Sequence, residues 1–317
     1  MRVLSNIRVM KPIKKTSSLF LGVILSHFLL TACTNNSLNK TANINNPSET
    51  EDILQSVGLK VSSVNDAVLK AEKALQAGNT DLAQLYYIKA FDLEPNNVQV
   101  LQKMADLYIA LKKYELAEVS LKLIVKQQPL NAQASEQYGL LLLTLRKYSE
   151  ARANLTSVIA KRQSWQAYNG LGIIANIENE PLKAEAYFRQ ADNISPNSPE
   201  LLNNIGFALY KMDRLREAES FYSKALQINP GFKKSIYNYA LLQARSRRYE
   251  EAFHSFSNVA STAEANNNIG YIAMMNGDYP EANRYLHEAI KSSPQFYKKA
   301  NDNLQQLEVL ENSHSTN

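Results

Sequence analysis

Residue types that do chemistry are scarce in this chain. One cysteine, Cys33, and four histidines, His27, His254, His287 and His314, make up its thiols and imidazoles. A lone cysteine forms neither an intramolecular disulfide nor a cysteine metal cluster. His27 and His314 lie near the two ends. His254 and His287 fall in different helices without the carboxylate spacing of an HExxH zinc site, and read as partly exposed helix residues. Gly170-Leu171-Gly172 could be taken for a phosphate-cradling turn, but no strand precedes it. The run Arg245-Ser246-Arg247-Arg248 reads as a solvated turn, with contact to an acidic partner or a lipid headgroup as the alternative. No catalytic set and no metal set assembles, so the expectation is a non-enzyme with no cofactor and no small-molecule substrate.

The chemistry of Cys33 depends on what precedes it. Residues 1–32 carry Arg2, Arg8, Lys11, Lys14 and Lys15 and no acid, then an apolar run from Leu19 to Leu30 diluted by Gly22, Ser26 and His27. Twelve residues are too few to cross a hydrocarbon layer of about 30 Å, which needs roughly 20, and the order of features is that of an export signal. Met10 would give such a signal a more ordinary length. The ending Leu30-Thr31-Ala32-Cys33 resembles the lipobox of bacterial lipoproteins. That resemblance implies that Cys33 is acylated and opens the mature chain. Thr34, in place of an aspartate, implies delivery to the outer membrane, with the rest facing the periplasm. One acyl chain anchors marginally and two or more anchor stably. Residues 34–49 are polar and Asn-rich, and read as a tether. The formal charge of +5 is accounted for by the basic leader. The remainder is near neutral and offers no electrostatic footprint for nucleic acid.

The elements beyond the tether repeat. Small residues recur at Ala83, Ala117, Ala151, Ala184, Ala218, Ala252 and Ala282, spaced by 34, 34, 33, 34, 34 and 30. Four positions on stand Tyr87, Leu121, Leu155, Phe188, Tyr222, Phe256 and Leu286; twelve positions before stand Ala71, Ala105, Gly139, Gly172, Gly206, Ala240 and Gly270. Pro95, Pro129, Pro196, Pro230 and Pro294 close five of the seven units. The third unit has Gln163 in that place, and the sixth lacks a proline and is about four residues short, so its second helix or the following turn is trimmed. In Pro199–Pro230, Leu202, Ile205, Gly206 and Leu209 share one face of a first helix, and Ala218, Tyr222 and Ala225 one face of a second.

Tyr168-x2-Leu171-Gly172 with Ala184-x3-Phe188 and Pro196, and the unit from Leu202 to Pro230, resemble the tetratricopeptide repeat. The expected fold is all-α: a right-handed superhelical solenoid of about seven helix-turn-helix repeats with a C-terminal capping helix. The boundaries are 1–32 for the signal, 33–60 for the lipidated cysteine and tether, 61–296 for the repeats, and 297–317 for the cap and tail. Tyr297, Ala300, Leu304, Leu307 and Leu310 form the apolar stripe of that last helix. It covers the final repeat, or swings out to a partner. Trp165 reads as inter-repeat packing.

In this repeat family the other face of the first helices lines a groove. The repeat phase places Leu140, Leu143, Asn169, Ile173, Asn176, Asn203, Phe207, Tyr210, Tyr237, Leu241, Arg245, Asn267, Tyr271 and Met274 there, with Lys211 beside them. An apolar and aromatic strip flanked by amides suits a peptide or an amphipathic helix. The other reading is that these residues pack the solenoid or lie under the cap.

The stretches Ala167–Phe188, Leu201–Glu219 and Asn267–Leu286, taken with the leader and tether, resemble the TadD family of outer-membrane lipoproteins that serve tight-adherence (Flp) pilus assembly. The resemblance is best from Trp165 to Leu307. It implies a protein-binding assembly factor for a secretin or another pilus component, anchored in the membrane through Cys33. The alternatives are a pilot lipoprotein of type IV pili or type II secretion, and a periplasmic scaffold for cell-envelope enzymes.

Overall fold

Helix pairs follow from short-range rules applied again and again. The structure is a computed structural model that describes residues 59–293 and 297–315. Cys33, the signal segment 1–32 and the tether through residue 58 lie outside the described residues. Among the described residues there are fifteen helices and no strand. The pairs are α1 (Val64–Gln76) with α2 (Thr80–Leu93), α3 (Val98–Ala110) with α4 (Tyr114–Gln127), and α5 (Ala132–Thr144) with α6 (Tyr148–Ile159). They continue as α7 (Trp165–Ile177) with α8 (Pro181–Ile194), α9 (Pro199–Lys211) with α10 (Leu215–Ile228), α11 (Lys233–Arg245) with α12 (Tyr249–Phe256), and α13 (Thr262–Met275) with α14 (Tyr279–Ser292). A last helix, α15, runs Tyr297–Ser315.

Most first helices start on a side-chain cap. Ser63, Asn97, Asn131, Ser164, Ser198 and Ser261 each accept a backbone N–H from the opening turn, which satisfies one of the donors a helix start leaves bare. Every first helix ends on a left-handed residue: Gly78, Lys112, Arg146, Asn179, Asp213, Arg247 and Gly277, with φ between 57° and 74°. The next N–H reaches back to close the last turn, as Lys113 N does to Tyr108 O (2.8 Å) and Arg214 N to Leu209 O (3.0 Å). The left-handed residues recur at the repeat spacing, so one backbone device makes all seven hairpins.

The described residues divide into two compact units, one up to Ser120 and the other from Leu121 onward. In the first, Ala71, Ala83, Tyr87, Met104, Ala105 and Tyr108 are buried between α1, α2 and α3. Lys103 pairs with Glu72 (2.7 Å), and Lys113 donates to Gln84 (2.7 Å), across successive pairs.

In the second unit a small residue of each first helix faces the bulky residue sixteen positions on. A Cβ added at Gly139 would stand 2.8 Å from Leu155, at Gly172 2.5 Å from Phe188, at Gly206 2.8 Å from Tyr222, and at Gly270 2.7 Å from Leu286. All seven second-helix alanines are fully buried, and the bulky partners at most 2% exposed. Gly170 has its own reason: a Cβ there would meet Leu155 at 2.7 Å. Gly170-Leu171-Gly172 is thus helix-packing sequence inside α7.

The sixth repeat's deficit falls on its second helix. α12 has eight residues against fourteen in α14, and turns out at Ser257. α15 covers the end: Ala300 and Leu307 are buried, Leu307 in the cluster of Met274 and Leu286, with Leu304 and Leu310 against it. The Tyr222 hydroxyl is buried without a hydrogen-bond partner, and burial pushes it well above the ordinary tyrosine range.

Gly172→Ala is expected to lower stability by about 1–3 kcal/mol through overpacking, against the roughly 1 kcal/mol that alanine gains in an open helix. A urea midpoint at or above that of the wild type would refute the close crossing. Tyr222→Phe is expected to hold or raise that midpoint, since it removes an unsatisfied buried group.

Candidate functional site: the first-helix wall of the second unit

The first helices α5, α7, α9, α11 and α13 present a repeated set of side chains counted from the small residue. Two or three positions before it stands at least one amide: Gln137, Asn169, Asn203 with Asn204, Asn238, and Asn267 with Asn268. Asn204 Nδ2 donates to Asn169 Oδ1 (2.9 Å), Asn203 Nδ2 to Asn204 Oδ1 (3.2 Å), and Asn238 Nδ2 to Asn203 Oδ1 (2.9 Å). Asn169 Nδ2 in turn reaches Glu200 at 3.4 Å. This ladder ties α7 to α9 and α9 to α11. Beyond it, Asn268 Nδ2 donates to the Tyr237 hydroxyl (2.8 Å), and Asn303 Nδ2 of α15 to Asn267 Oδ1 (3.1 Å).

The sequence expectation for these amides needs correcting. Asn169 is 8% exposed, Asn203 0% and Asn267 7%. They bond to neighbouring repeats or to the cap. Buried amides that lost these partners would each remain unsatisfied, so the ladder consumes the groups expected to hold a partner's backbone. Met274, also expected in the groove, is 3% exposed and packs into the core beneath α15. Tyr237 meets the Phe256 ring edge-on at 5.1 Å, so it serves packing as well as the wall.

One, four and five positions after the small residue lies an apolar lane. Leu140, Leu143, Ile173, Phe207, Tyr210 and Leu241 are half-buried, and Tyr271 is 40% exposed. Ile177 and Met275, absent from the sequence expectation, join it at 46% and 60% exposure. Their position five after the glycine could have found them. Phe207 stacks on Tyr210, with ring centroids 6.4 Å apart and planes at 19°. On the opposite side of the same helices Ile174, Ile205, Leu209, Leu242 and Ile269 are fully buried.

Charges edge the lane. Lys211 Nζ donates to the Asn176 backbone oxygen (2.9 Å), and burial pushes the ammonium below its usual range. Arg245-Ser246-Arg247-Arg248 does form a turn with Arg247 exposed, but its arginines are tied to neighbouring repeats. Arg245 pairs with Asp213 (3.4 Å) of the preceding repeat and donates to Asn276 of the next. Arg247 reaches Asp278 (3.4 Å) and the Asn276 carbonyl (2.7 Å), while Arg248 pairs with Glu219 (2.8 Å). Arg214–Glu185 (2.7 Å) repeats the Arg248–Glu219 register one repeat earlier. Sequence reading missed these ties because a cation and an acid 29 residues apart are adjacent only once the repeat is folded.

His254 and His287 are exposed, and His287 Nδ1 lies 3.0 Å from the Asn283 carbonyl. Trp165 is half-buried at the start of α7. Among the described residues no three metal-ligating side chains converge, and no helix is long and apolar enough to cross a membrane.

Comparison with known proteins agrees with this architecture. Three tetratricopeptide-repeat family models match residues 74–136, 137–199 and 199–232. The chain belongs to the tetratricopeptide-repeat proteins, a family of protein-interaction scaffolds. The peroxisomal targeting signal receptor of Kluyveromyces lactis is 33% identical over 98 residues, 31% of this chain and 17% of that protein. A BBSome complex member of Drosophila melanogaster is 28% identical over 99 residues, 31% of this chain and 20% of that protein. The chain thus spans a fifth or less of the length of these relatives. A tetratricopeptide repeat protein from Parabacteroides merdae shares the fold at a TM-score of 0.59 and 14% identity, over 76% of this chain and 99% of that structure.

Asn203→Ala is expected to strand Asn238 and Asn204 and to cost about 1–3 kcal/mol. A urea midpoint unchanged from the wild type would show that the ladder contributes nothing.

Proposed function

We propose that the protein is a membrane-anchored assembly factor that holds a segment of another protein against the apolar lane of its second unit. The observation behind this reading is the asymmetry of the first helices: one side fully buried, the other keeping Ile173, Phe207, Tyr210, Leu241 and Tyr271 partly in water over four repeats. A contiguous apolar strip of this kind suits a polypeptide partner. The matched yeast relative is named as a receptor for a targeting signal, in keeping with a repeat wall that holds a partner.

The leader and the Leu30-Thr31-Ala32-Cys33 ending support acylation of Cys33, an outer-membrane anchor and a periplasmic solenoid. The resemblance to the TadD family supports a role in tight-adherence pilus assembly, with a secretin or another pilus component as the partner. Tethering confines the wall near the membrane and raises its effective concentration toward partners there, so modest affinity suffices.

Phe207→Ala with Tyr271→Ala is expected to abolish recovery of the partner from detergent-solubilised outer membrane while circular dichroism stays helical. Undiminished recovery would remove the lane from the account. Cys33→Ser is expected to release the protein from the membrane fraction; retention there would overturn the anchor.

A further inference from the structure

One point of the lane is electrostatically incomplete. Lys211 lies on α9, one turn after Phe207, and is half-buried. Its ammonium has a single protein partner, the neutral carbonyl of Asn176, and among the described residues no carboxylate stands within ion-pair distance of it. The arginines around it are placed differently: Arg214, Arg245 and Arg248 each face an acid. The nearby acid Asp213 is taken by Arg245. Withdrawing a cation from water without an anion is unfavourable, and a carboxylate supplied from outside would reverse that. Asn176, which holds the ammonium through its main chain, is itself short of partners. Its side-chain oxygen is buried with no hydrogen-bond partner. Beside them stand the Phe207–Tyr210 stack and the exposed Ile177.

We propose that the wall takes a segment in which an internal Asp or Glu stands beside large apolar residues. The carboxylate pairs with Lys211, and the apolar neighbours lie on Phe207 and Tyr210. The inference rests on the proposed role of the lane as the holding surface, and names the chemistry of what it holds. An internal acid fits better than a chain-terminal carboxylate because the lane runs on past Lys211 in both directions, to Leu140 and Leu143 on one side and to Leu241 and Tyr271 on the other. The amide ladder is closed on itself, so selectivity falls to the lysine.

The test uses the full-length chain, immobilised, and three synthetic nonapeptide pools rich in Leu, Phe and Ile. The first has a central Glu and blocked ends, the second a central Gln and blocked ends, and the third a central Gln and a free C-terminal carboxylate. The Glu pool is expected to be retained about tenfold better than the blocked Gln pool, the scale of a partly desolvated charge pair. Lys211→Met is expected to erase that preference while keeping Gln-pool retention and the helical circular dichroism signal. Equal retention of the Glu and Gln pools, or a Glu preference surviving in K211M, overturns the acidic segment and leaves the apolar lane standing. A preference for the free-carboxylate pool over the Glu pool overturns the internal acid. Retention of no pool by the wild type overturns the lane itself.

Discussion

Two helices cross at close range in each repeat, and the rest of the second unit depends on that crossing. Gly139, Gly172, Gly206 and Gly270 each lie against a bulky side chain sixteen positions on, with too little room for a methyl group. Protein interiors are packed to the density of organic crystals, so such a site has little slack. The crossing sets which side of each first helix is consumed by its partner. The side left over is fixed by the same geometry, and it becomes the wall of amides and apolar residues. A repeat with its hydrophobic stripe on one side alone cannot be stable by itself. That is why α15 covers the last repeat, with Leu307 buried among residues of α13 and α14.

Polar groups divide the remaining surface between cohesion and recognition. The asparagines at the start of the first helices bond to one another from repeat to repeat, and the arginines of the turns reach acids of adjoining repeats. Exposed ion pairs contribute little individually, but these recur in one register and add directional preference to a stacking that apolar contact alone leaves loosely specified. What is left unpaired is local: the Phe207–Tyr210 stack, the exposed Tyr271, and Lys211 without an acid. The wall is thus mostly a self-satisfied structure with one apolar lane through it.

Much of the fold was legible in the sequence, because the crossing demands small residues at two phases and bulky ones at a third. The positions of Ala218, Tyr222 and Gly206 were readable from spacing, and so was the deficit in the sixth repeat, which falls on α12. The hairpin turns were harder to see. Five of the seven left-handed positions are Lys, Arg, Asn or Asp instead of glycine, so the usual turn signal is absent there. The site was legible only in part. Phe207, Tyr210 and Tyr271, counted from the phase, are half-buried or exposed on the first helices. Phase could not show that Asn169, Asn203 and Asn267 spend their amides on neighbours, nor that Met274 lies under α15, because both depend on contacts about 30 residues away in the chain. The ties of the arginine run were hidden for the same reason: a local cluster of charge says nothing about acids supplied by the next repeat.

The account places a partner on the first helices α5, α7, α9, α11 and α13 and nowhere on the second helices. Photo-cross-linking in the intact cell tests that placement most directly, with a benzophenone amino acid in place of Ile173 or Leu241 on the wall, and in place of Leu182, which is 71% exposed on α8, away from it. The account predicts a discrete cross-linked species from positions 173 and 241 and none from 182. A partner trapped at 182 and absent from 173 and 241 would contradict it.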